Sequence, residues 1–82
     1  MKKEEITRII ESTLTSGNKI PGLFDLPKVL ALKTKLQSSQ SINDVLTTIE
    51  QHRELILKAF GLDEGKINSA IEKIKALESK VL

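Results

Sequence analysis

The spacing of the apolar residues constrains this chain more than any other feature. They recur three and four positions apart, as in 67-INSAIEKIKALESKV-81, where Ile67, Ala70, Ile71, Ile74, Leu77 and Val81 form one seam. That spacing is the signature of a helix with one buried face. Period-two alternation never persists, and no Asn-Gly or Asp-Gly pair marks a hairpin. The expected fold class is all-α, over a single domain spanning residues 1–82.

Four helices are expected, at roughly 3–16, 26–37, 42–60 and 64–81. In the first, Ile6, Ile9, Ile10, Thr13 and Leu14 share a face, and Gly17-Asn18 offers a left-handed stop. The second begins near Asp25–Pro27, where proline suits a first turn. Leu26, Val29, Leu30, Leu32 and Leu36 are expected inward. Ser41, with Asp44 three residues on, makes a capping signal for the third helix, and Gly61 closes it. Asp63 can cap the fourth, with Leu62 set to pack on Ile67. Short connections between amphipathic helices suggest a small antiparallel four-helix bundle. The alternative is a three-helix core with a loosely attached first helix.

The connection 17-GNKIPGLFDL-26 is irregular, and its apolar content is unusual for a loop. It reads first as a lid folded over one end of the bundle. Its second reading is a docking loop, which makes Ile20, Leu23 and Phe24 the candidate partner contact.

Three charges fall where apolar residues belong. Arg53 lies in the stripe of Ile42, Leu46, Ile49, Ile56 and Phe60, with His52 on its edge. Glu78 lies among Ile71, Ile74, Leu77 and Val81, and Lys33 between Leu30 and Leu36. A charge in a stripe must pair, reach water or sit at a helix end. If the third and fourth helices form a straight hairpin, Glu78 comes within a turn of Arg53 and Lys33. A structural polar contact among Lys33, Arg53 and Glu78 is therefore expected.

Composition removes several functions. There is no cysteine, hence no disulfide and no thiol chemistry. His52 is the only histidine, and no activated serine or glycine-rich phosphate loop accompanies it. Neither an enzyme, a metal nor a cofactor is expected. The opening MKKEEITRII does not resemble a signal peptide, and no apolar run is long enough for a bilayer, so a cytoplasmic location is expected. Net charge is only +2, but residues 17–41 alone sum to +3, with the rest of the chain slightly negative. Within them Lys19, Lys28 and Lys35 form a candidate basic patch. A non-enzymatic protein–protein interaction or regulatory module is the expected function, with a second copy of the chain among the candidate partners. The alternative is a nucleic-acid-associated protein using the lysines of residues 19–35. It is disfavoured because the would-be recognition helix starts Ile42-Asn43-Asp44 and lacks early cations.

Overall fold

The computed structural model describes residues 2–79. It contains five α-helices and, among these residues, no strand: α1 Lys3–Thr15, α2 Leu26–Gln37, α3 Ile42–Gln51, α4 Arg53–Phe60 and α5 Glu64–Ser79. All-α is the class the spacing predicted. The expected position of Val81 in the α5 seam lies outside the described residues.

The local signals act largely as their chemistry requires. Ser41 is extended at φ −144°, ψ 161°, and its hydroxyl accepts the Asp44 N–H at 3.1 Å. The Asp44 carboxylate in turn accepts from the Gln40 N–H at 3.4 Å, one residue further out than a standard capping box. Asp63 accepts the Lys66 N–H at 2.9 Å and starts α5. Gly61 takes the left-handed conformation, φ 63°, and ends α4, letting Leu62 N–H reach back to the Leu57 carbonyl at 3.1 Å. Leu62 and Ile67 are both buried in the same core.

The expected helix 42–60 is two helices. His52 closes α3 and opens α4 at φ −115°, ψ 18°. Its N–H is shared between the Thr48 and Ile49 carbonyls at 3.2 Å each, and the ladder restarts with Ile56 N–H donating to His52. No proline or glycine marks this break. It falls where the apolar stripe skips a residue, so little packing energy holds that turn straight.

All five helices supply the core. Ile6 and Leu14 come from α1, Leu32 from α2, Val45 and Ile49 from α3, Ile56 from α4, and Ile67, Ile71, Ile74 and Leu77 from α5. Leu32, Val45, Ile67 and Ile74 are the most enclosed large side chains. Each such aliphatic contributes on the order of 1.5–3 kcal/mol relative to exposure. α1 packs chiefly on α5 and also meets α4, so the first helix is not loosely attached. α2 packs on α3 and α4, and α3 on α5.

α2 departs from expectation. Val29 and Leu32 are buried and Leu36 partly so, but Leu26 and Leu30 are exposed. The helix is apolar on two sides, and only one side meets the core.

Candidate functional site

The connection from α1 to α2 is anchored at its root. Lys19 N–H donates to the Phe60 carbonyl at 3.2 Å, supplying a partner for the end of α4. Gly17 has no left-handed backbone, contrary to the expected stop; it is required because a Cβ there would run into the Phe60 carbonyl. Asn18 and Lys19 crowd Gly61 from the other side. The Lys66 ammonium ties the same corner by donating to the Ser16 carbonyl at 3.0 Å.

Beyond this root the chain turns outward. Ile20 is 86% exposed, Leu23 87% and Phe24 93%. The segment is not a lid, and nothing in the core covers it. Its geometry is ordered nonetheless: the Gly22 carbonyl accepts from Asp25 N–H at 3.1 Å and Leu26 N–H at 2.9 Å. The turn therefore runs into α2 with helical bonding, ahead of Pro27.

This continuity extends the loop's apolar surface along the helix. Leu23, Leu26 and Leu30 are spaced three and four apart, so at about 100° per residue they share one side. Leu26 is 44% exposed and Leu30 57%. With the exposed Ile20 and Phe24 on the preceding turn they make an apolar ridge along the loop and the start of α2, to one side of the buried Val29 and Leu32. Singly exposed aliphatics are ordinary, but five large ones gathered on one loop and the start of one helix are more than scattered exposure.

The expected basic patch is split. Lys19 and Lys28 border an open basin with Lys58, Asp25, Glu54 and Leu55. Lys35 lies two turns along α2 from Lys28, beside Ser39 and Asp44. Lys58 had no sequence signal, since the fold alone brings α4 against the start of α2.

The expected contact among Lys33, Arg53 and Glu78 does not form. Arg53 instead makes two hydrogen bonds to the Glu50 carboxylate, Nη2 to Oε1 at 2.6 Å and Nε to Oε2 at 3.3 Å. Its Nη1 lies 3.6 Å from Glu64, and Nη2 donates to the Asn68 carbonyl oxygen at 3.2 Å. The hydrogen bonds that Arg53 donates hold the Glu50 carboxyl below its ordinary range, and the same bonds raise the guanidinium. Glu78 is exposed, and Lys33 borders a groove of about 170 Å³ between α1 and α2. The expectation assumed a straight hairpin, and the break at His52 removes that geometry. Arg53 meets the first turns of α5 rather than its end.

The cluster is structural in form. Arg53 opens α4, where the helix dipole disfavours a cation, and Glu50 and Glu64 offset this. His52 Nδ1 lies 2.9 Å from the Thr48 carbonyl, which can only accept, so this nitrogen carries the proton. Among the described residues no helix is long and apolar enough to cross a membrane. Comparison with family models, with curated proteins and with solved structures finds no match to this chain.

Proposed function

We propose that this protein is a non-enzymatic interaction module that docks a protein partner on the ridge of Ile20, Leu23, Phe24, Leu26 and Leu30. The observation carrying the reading is the exposure of Phe24 and its neighbours on an ordered, anchored turn. Exposed apolar surface of this kind weakens the isolated chain's compatibility with water and gains free energy only when covered. The small framework fits a regulatory role better than a catalytic one, since no acid–base pair accompanies the ridge. Within this reading α3 and α4 act as one bent leg of a four-legged antiparallel bundle, whose other faces hold the ridge in place.

Site-specific photo-crosslinking in the source cells tests the proposal. A photoreactive residue replacing Phe24 is expected to capture one predominant protein. The same residue replacing the exposed Glu72 on α5 is expected to capture none above background. Equal capture from both positions, or capture of nucleic acid alone from position 24, defeats the reading.

A further inference from the structure

We propose that the groove between α1 and α2 binds a small aliphatic monocarboxylate of about six to eight carbons, a size set by cavity volume. The site is separate from the ridge and does not depend on the docking reading. The groove follows from how the helices pack. α1 packs chiefly on α5 and α4, and α2 on α3 and α4, which leaves a gap of about 170 Å³ between α1 and α2. The buried Ile6 and Val45 and the partly buried Ile10 and Leu36 give it an aliphatic lining. Ile10 and Leu36 also line an apolar void of about 30 Å³ that reaches Leu32 and Ile49. An aliphatic tail laid between these two side chains therefore points into the core. A dry apolar cavity of roughly 150 Å³ accepts a six-carbon ring, so the groove and void together suit a tail of this length. The rim sets the head group. Lys3 and Lys33 border the groove against one carboxylate, Glu11. The Lys3 ammonium is fixed at one end by its donation to the Gln37 carbonyl at 2.8 Å. Lys33 lies one turn back along α2 from Gln37, and among the described residues it joins no ion pair. Glu11 is about two turns, roughly 12 Å, along α1 from Lys3. One end of the groove is thus cationic, and a carboxylate there pairs with ammonium groups from both helices. A cationic head would face two like charges at the same place.

Octanoate is titrated into the full chain while the isoleucine, leucine and valine methyl resonances are followed by NMR. Saturable shifts at Ile6, Ile10, Leu36 and Val45 are expected. From butanoate to octanoate the affinity should rise by up to about fourfold per methylene, then level off once the groove is full. Octylamine should bind at least about tenfold more weakly than octanoate, and added salt should weaken octanoate. Lys3→Gln/Lys33→Gln should weaken octanoate by about fivefold, a modest loss because the ammonium groups are only partly shielded from water. The head-group comparison is made on the unaltered chain, so it decides the matter whether or not that variant folds. Octylamine or octanol binding as tightly as octanoate overturns the inference. No saturable shift of the lining methyls at millimolar octanoate overturns it, as do shifts confined to the ridge leucines. Affinity that keeps climbing through dodecanoate means partition onto exposed apolar surface, and also overturns it.

Discussion

Gly17 and Gly61 show how much one missing Cβ can decide. Gly61 needs the left-handed conformation, and Gly17 lets the α1 connection lie directly on the Phe60 carbonyl. Alanine at Gly61 is strained by its backbone and by Asn18 together. Alanine at Gly17 must push α1 and α4 apart. Each substitution is expected to destabilise by roughly 1–3 kcal/mol, measured by urea unfolding, with Gly22→Ala in the open turn close to neutral. Glu50 gives a prediction in pH. Its carboxyl is held below the ordinary range in the folded chain by the hydrogen bond from Arg53. Its stabilising effect is therefore complete above the ordinary glutamate range and is lost as pH falls through the lowered folded value. Glu50→Gln is expected to melt below the parent at neutral pH, and the two melts should converge in acid. A gap that widens on acidification contradicts this assignment. Arg53 was recognisable in the sequence as an anomaly, but its partners were not. Spacing identifies a charge out of place; only the three-dimensional path identifies what meets it.

Among the elements, α2 carries the clearest contrast between two leucines. Leu32 is enclosed and Leu30 faces solvent, two residues apart on one helix. Leu32→Ala is expected to cost about 2–5 kcal/mol by cavity formation. Leu30→Ala should stay within about 0.5 kcal/mol in the same unfolding measurement. The helix itself was legible from Pro27 and the leucine spacing. Val29, Leu32 and Leu36 turn inward as expected, but Leu26 and Leu30 were misassigned because the leucines spread over more of the helix than one core-facing stripe can cover. The break between α3 and α4 was hidden for a different reason. Residues 42–60 contain no helix breaker, and the signal was only a gap in the stripe, filled by His52 and Arg53. The caps at Ser41 and Asp63 were legible because their chemistry is local and needs no knowledge of the fold.

For the whole molecule, dimensions of 42 × 24 × 19 Å describe an elongated body. Its core draws on every helix, so the ridge is supported by the full fold rather than by a separate arm. Replacing Leu23 and Phe24 together with serine is expected to leave the melting temperature nearly unchanged and to reduce binding of an apolar reporter dye. A large fall in melting temperature would mean that these side chains are covered in solution. The anchoring of the ridge has a kinetic consequence. The Phe60 carbonyl holds Lys19 on one side, and the Gly22 carbonyl holds the entry to α2 on the other. Little of the turn remains to be ordered when a partner arrives, so encounter and capture should be one step. In stopped-flow mixing, the observed rate should rise linearly with partner concentration, without reaching a plateau set by rearrangement of this chain.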